Sequence, residues 1–195
     1  MSKLETNTID TISGSTTLTL GGTNANAITI PSGVTMSVPS GGLSGQNYPA
    51  FLAYPNADQT LTDATTTKVV FNTEDFDTNN CFDSTTNYRF TPTVAGKYFC
   101  YTSVSLGSTT YTNSNLNEIR LLFYKNGAKI KQSIVDFLSN PIRYGAFNMH
   151  DIISFNGSTD YLEIYARNDV ASGTPNIQGD SSNRPTYFGA FRIGA

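Results

Sequence analysis

The chain has 195 residues, enough for one substantial domain with a small appendage. Charged residues make up 14% of it, well under the ~25% usual for globular proteins. The net charge is −3 with no basic block, which weighs against nucleic acid and anionic membrane as partners. No run of ~18 apolar residues is present to insert into a membrane. Ser, Thr, Asn and Gly fill the place of the missing charges, a texture of β-rich surface or fibre proteins.

Residues 1–45 differ from the rest. They contain no aromatic residue. Short apolar pulses recur instead: Ile9 and Ile12, Leu18 and Leu20, Ile28 and Ile30, then Val34, Met36 and Val38. Gly-, Asn- and Pro-containing turn signals separate them. The pattern predicts short strands with almost no core of their own. Such a segment must pack against something to offset its ordering entropy, and its own copies are the simplest partner. We therefore expect an N-terminal β-rich segment, residues 1–45, that packs with its own copies in a symmetric oligomer. The opening Met1-Ser-Lys-Leu-Glu-Thr-Asn7 lacks the apolar core of a signal peptide. Two routes are then expected: the protein stays in the cytoplasm of the cell that makes it, or it leaves as part of a particle such as a virion.

Residues 46–195 read as one compact β domain. A short strand at 50–54 ends at Pro55, and a second strand region covers 59–62 and 65–71. Residues 72–80 are polar and predict a loop. Short strands are expected at 81–82 and 87–90. Pro92 cannot donate to a ladder and Gly96 tolerates a positive φ, so the chain turns between them. Residues 97–106 predict the central strand. Tyr98, Cys100, Thr102, Val104 and Leu106 share one face, and Phe99 and Tyr101 point to the other. A strand with apolar bulk on both faces needs two burial partners: a sandwich interior, and a second layer or subunit.

Beyond the loop at 109–117, residues 118–125 alternate. Ile119, Leu121 and Phe123 face one way; Glu118, Arg120 and Tyr124 face the other. Asn126-Gly127 is a strong two-residue hairpin signal, with a return strand at 131–138. Strands at 143–155 and 161–167 follow, joined at Asn156-Gly157. Residues 168–183 predict a long polar loop, and residues 185–193 a terminal strand. No segment shows helical periodicity over ten residues. Eight to ten strands with hairpins and long crossings fit an all-β fold, a two-sheet jelly roll.

No catalytic group stands out, and we expect no enzyme, cofactor or metal. His150 is the single histidine, and its neighbour Asp151 faces the other side of a strand and is badly placed to orient it. Glu74, Asp75 and Asp77 share a polar stretch without calcium-loop spacing. Cys81 and Cys100 read as small buried hydrophobes. Asn156-Gly157-Ser158 satisfies a glycosylation sequon, but the hairpin turn explains it. Tyr98, Phe99, Tyr101, Phe188 and Phe191 are assigned to core or intersubunit packing. Ligand contacts are expected from the loops at 109–117 and 168–183.

Four motifs carry a family resemblance. Asn79-Asn-Cys-Phe-Asp83, followed by Tyr88-Arg-Phe-Thr-Pro-Thr-Val-Ala-Gly-Lys-Tyr-Phe-Cys-Tyr101, resembles the central signature of C1q/TNF-like domains. Leu121-Leu-Phe-Tyr-Lys-Asn-Gly127 is similar to the family's hairpin. Tyr161-Leu-Glu-Ile-Tyr165 matches a strand that usually follows a Gly-Asp pair, which is missing here. Thr186-Tyr-Phe-Gly-Ala-Phe-Arg-Ile193 resembles the closing strand. The resemblance spans residues 50–195 and implies a ten-stranded jelly roll in compact trimers with aromatic-lined axial faces. Residues 1–45 resemble, in composition, the N-terminal segments of marine phage fibre and appendage proteins. Together these imply a phage virion structural protein: a short homotrimeric fibre displaying a jelly-roll knob, with host-surface glycan as a candidate ligand. A capsid decoration protein and a soluble C1q-like binding module are the alternatives.

Overall fold

The computed structural model describes residues 49–109 and 114–194. The N-terminal segment expected at 1–45 and its boundary lie outside the described residues, as do residues 110–113 of the expected loop. The described residues hold thirteen strands and no helix. In chain order these are β1 (Ala50–Tyr54), β2 (Gln59–Thr60), β3 (Thr67–Lys68), β4 (Thr73–Asp77), β5 (Phe82–Asp83), β6 (Arg89–Phe90), β7 (Gly96–Ser108), β8 (Leu116–Lys125), β9 (Ala128–Asp136), β10 (Tyr144–Phe155), β11 (Leu162–Val170), β12 (Pro175–Ile177) and β13 (Tyr187–Gly194). The number exceeds the eight to ten expected because β2, β3, β5 and β6 are two-residue pieces.

All pairings are antiparallel, and they make two sheets, one of seven strands and one of six. β7 is the spine of the first. β10 runs the length of one edge, from Gly96 opposite Phe155 to Gly107 opposite Tyr144. The other edge is divided: residues 97–103 pair with β13, and residues 106–108 with β12. β1 adds to β13, β4 to β1, and β2 to β12. In the second sheet β8 lies between β11 and β9, while β3 and β6 share the far edge of β11 and β5 adds to β6. The two-sheet jelly roll read from the pattern is the architecture found.

The period-2 patterns place the core between the sheets. Tyr98, Cys100, Val104 and Leu106 from β7 meet Ile119, Leu121 and Phe123 from β8 and Leu162, Ile164 and Ala166 from β11, all buried. Phe51 stacks on Phe82 and Phe90 at centroid distances of 4.6 and 4.9 Å and meets the edge of Phe188 at 4.9 Å. Each such pair contributes roughly 0.5–1.5 kcal/mol beyond its area burial. Asn126 and Gly127 turn the β8–β9 hairpin with φ of 53° and 76°, the double positive φ that favours this dipeptide. Gly96 takes φ 149° where the chain enters β7.

Two expectations are corrected. Residues 72–80 are not a loop: Thr73–Asp77 forms β4, paired with β1 across a register shift at Leu52/Ala53. Its carboxylates hide it from hydrophobic patterning, and pairing with β1 organises it instead. Residues 168–183 are not one long polar loop either. β11 continues to Val170, and Pro175–Ile177 forms β12. Asn168 is buried and donates from Nδ2 to the Gly107 carbonyl at 2.6 Å. Ser108 Oγ donates to buried Asn115 Oδ1 at 2.9 Å, and Asn115 Nδ2 donates to the Ser172 carbonyl. Polar residues that look like loop thus close one end of the core through paired amides.

Candidate functional site

β7 turns its second face to the outside of the sandwich, where Phe99 and Tyr101 stand half-buried. Strand pairing extends them into rows. In one row Ile152, Phe99, Phe191 and Ala50 are successive cross-strand partners on β10, β7, β13 and β1. In the next, His150, Tyr101, Gly189, Leu52 and Phe76 follow in the same way, ending on β4. Directly opposed residues share a face, so the rows form one surface. Ile152 is 56% exposed, and Phe191 and Phe76 are each 44% exposed. The Phe99 ring lies 5.5 Å from Phe191, 5.9 Å from Tyr101 and 5.7 Å from the His150 imidazole. Gly189 provides the space for Tyr101: a Cβ there would sit 2.6 Å from the phenol Cζ and hydroxyl. Contiguous apolar patches of this kind mark interaction sites.

The outer face of the second sheet is different. Lys68 Nζ pairs with buried Glu163 at 2.5 Å. Arg167 engages Glu118 and, at 3.2 Å, Asp169; Arg120 pairs with Glu118 at 2.9 Å. The Arg89 guanidinium lies 4.3 Å from the Tyr161 ring centroid, and Tyr124 and Tyr165 pack at 4.3 Å. Charges and rings there satisfy one another within the sheet.

A third surface is the flank where the outermost strands of the two sheets meet. Among the described strands β9 pairs only with β8, and β10 only with β7. Lys131 of β9 and Asp151 of β10 bridge the sheets at 3.0 Å. Burial raises the Asp151 pKa, but the Lys131 hydrogen bond, the Ile152 N–H and the Lys131 charge together outweigh it and hold the carboxyl below its ordinary value. Ile134, Leu138 and Tyr144 are exposed along this flank.

The five residues assigned to packing divide between inside and outside. Tyr98 and Phe188 are fully buried in the core. The Tyr98 hydroxyl donates to the Val94 carbonyl at 2.7 Å, and desolvation pushes its pKa up to about 12. Phe99, Tyr101 and Phe191 lie on the outer face. Desolvation, then the neighbouring Tyr187, raises the Tyr101 pKa. His150 and Asp151 stand on opposite faces of β10, as strand geometry requires. Glu74, Asp75 and Asp77 go to separate partners: Ser84 Oγ donates to Glu74, Arg184 pairs with Asp75, and Asp77 accepts from the N–H groups of Asn79 and Phe82. Among the described residues no three or more His, Cys, Asp or Glu side chains are grouped to hold a metal ion. Cys81 and Cys100 are both buried and unbridged, and burial raises both thiol pKa values. Asn156 Oδ1 accepts from the N–H groups of Ser158, Thr159 and Asp160 inside its turn.

Sequence reasoning missed Leu52, Phe76 and Ile152 as outer-face residues. Ile152 was within reach, since strand parity places it with His150. Leu52 and Phe76 needed the order of strands in the sheet.

No protein-family model matches the chain, and no curated protein matches it. Solved structures do. Murine APRIL at pH 8.0 superposes with a TM-score of 0.52 at 10% identity, over 75% of this chain and 100% of that one. Eiger TNF from S. frugiperda gives 0.53 at 10% identity, over 75% and 93%. The globular domain of zebrafish complement 1qA gives 0.47 at 16% identity, over 74% and 94%. At these identities the likeness is one of fold, and with murine APRIL and Eiger TNF it shows a TNF-like jelly roll.

Proposed function

We propose that this chain is a non-enzymatic display module that closes into a homotrimer through the aromatic face of its first sheet, and that it serves as a short fibre or appendage of a phage virion. The observation that carries the assembly is the two-row apolar face of Phe99, Phe191, Ile152, Leu52 and Phe76. Leaving those rings in water forgoes about 25 cal/mol for each Å² of apolar area that a neighbour would cover. The apolar flank at Leu138 and Tyr144 is a second, unlike surface. Contact between unlike surfaces is head-to-tail, and it closes into a ring where the rotation between copies closes and runs on as a filament where it does not. The family resemblance supplies the number three. Light scattering at micromolar concentration should return a trimer mass; a monomer overturns this assembly.

The virion role rests on the pulsed β composition of residues 1–45, which resembles phage fibre N-termini. On this reading those residues dock to the particle, and the jelly roll is displayed for host adhesion. Immunogold microscopy of purified particles with an antibody to this chain tests it. Gold at an appendage or tail supports the fibre. Gold spread over the head replaces the fibre with a capsid decoration protein, and no gold on any particle leaves a soluble C1q-like binding module.

A further inference from the structure

The aromatic face ends in a cup. Leu52, Tyr54, Tyr101, Tyr187 and Arg184 line a cleft of about 270 Å³. Tyr54 and Tyr187 lie toward the end of β1 and the start of β13, beyond the apolar rows of Phe99 and Phe191. Residues 178–186 lie against this end of β7: Ser105 Oγ donates to Gln178, and Ser103 Oγ to the Pro185 carbonyl. Arg184 is delivered from that segment with a φ of 47°, an uncommon conformation for a long side chain. Its guanidinium lies 4.5 Å from the Tyr54 ring centroid, and Nη1 bonds Asp75 Oδ1 at 2.6 Å. A copy seated on Phe99, Phe191 and Ile152 would border the cup, which shares Leu52 and Tyr101 with the second row of that face.

We propose that this cup binds a neutral pyranose ring. The phenol rings of Tyr101 and Tyr187, with Leu52, offer apolar surface to the C–H face of a sugar, while the buried Tyr54 ring backs the Arg184 guanidinium. Three phenol hydroxyls and the guanidinium edge offer donors and acceptors to its hydroxyl groups. Asp75 decides the charge of the ligand. It compensates Arg184 within the protein, so the cup presents hydrogen-bonding groups without a net positive field, and a carboxylated sugar gains nothing over a neutral one. Rigid tyrosines lose little conformational entropy on binding. The inference names a ligand class for the adhesion reading and rests on it for its biological setting, but the cup is complete within one protomer.

The test is saturation-transfer NMR on the full chain with methyl glucoside, methyl galactoside, methyl mannoside and methyl glucuronide. At least one neutral glycoside should bind in the millimolar range. Tyr187→Ala should weaken it by about tenfold, and Tyr187→Phe, which keeps the ring and the packing, by about threefold. Binding of no neutral glycoside, equal binding by wild type and Tyr187→Ala, or binding of the glucuronide alone overturns the proposal. Sedimentation velocity on the same samples separates this outcome from the assembly. Trimers that bind no glycoside overturn the sugar site alone; a monomer that binds one overturns the trimer and leaves the sugar site standing.

Discussion

The two outer faces of this sandwich come from the same kind of strand and are finished in opposite ways. On the second sheet, Lys68–Glu163, the Arg120–Glu118–Arg167 group and the Tyr124–Tyr165 pair close the surface on itself. On the first sheet, Phe191, Ile152 and Phe76 present exposed apolar area around half-buried Phe99, with the His150 imidazole beside it. A jelly roll needs both inner faces apolar, and it leaves each outer face free to be specified separately. One face is therefore closed on itself, and the other leaves apolar area open.

The largest effect should come from placing a charge on the partner face. Phe99→Asp would bury a carboxylate without a counter-ion in the assembly. The mass by light scattering should fall to about one third. Tyr124→Asp, on the ion-paired face, should leave the mass unchanged. If both substitutions leave a trimer, the contrast between the faces fails as a guide to assembly.

Lys68→Met probes the sealed face from the other side. It leaves the buried Glu163 carboxylate without its ammonium partner. Discounted for the partial exposure of Lys68, the cost should be about 2 kcal/mol in denaturant unfolding. Adding Glu163→Gln should recover most of it, because an uncompensated charge and not a lost contact is then removed. A Lys68→Met variant as stable as wild type would reduce that ion pair to decoration.

Gly189→Ala sharpens the geometry where the apolar rows meet the cup. The new methyl would press on the Tyr101 ring, which must swing away. We expect about 1–2 kcal/mol of destabilisation from overpacking and a change in Tyr101 fluorescence or ring NMR shifts. An unperturbed Tyr101 signal would show that the ring does not lean over β13.

The smallest expected effect lies outside both faces and calibrates them. Burial opposes ionisation of Asp83, but the N–H groups of Thr86, Thr85 and Asn87 and the Asn87 amide outweigh it and hold the carboxyl well below its ordinary value. The folded pKa lies below the unfolded one, so the unfolded chain binds the extra proton. The contribution is then complete above about pH 4 and is lost as pH falls through the folded value. Asp83→Asn should lower stability at neutral pH, change it little in strong acid, and so flatten the acid limb of the stability curve below about pH 4. An acid limb identical to wild type would assign it to other carboxylates.

The legibility of this fold follows burial. β7 was readable because its run of aromatic, β-branched and small residues suits a strand, and Tyr98, Cys100, Val104 and Leu106 fall inside as the period demands. The β8–β9 hairpin was readable from Asn126-Gly127, a dipeptide with a mechanism. β4 was not, because Glu74, Asp75 and Asp77 give it the look of a loop and only β1 makes it a strand. β12 was not, because three residues beginning with proline carry no period. The face was half legible: Phe99 and Tyr101 declare their side on β7, but Leu52 and Phe76 join them only through strand order.

By itself the sequence determined the strand periods, the hairpin turns and the sidedness of the central strand, since these follow from local backbone geometry and from residues one or two apart. Only the tertiary structure decided which strands lie side by side. That order sets Phe191 and Ile152 beside Phe99, and brings Arg184 over the ring of Tyr54 from a distant part of the chain. Proximity of this kind depends on pairing across the sheet, which no local pattern encodes.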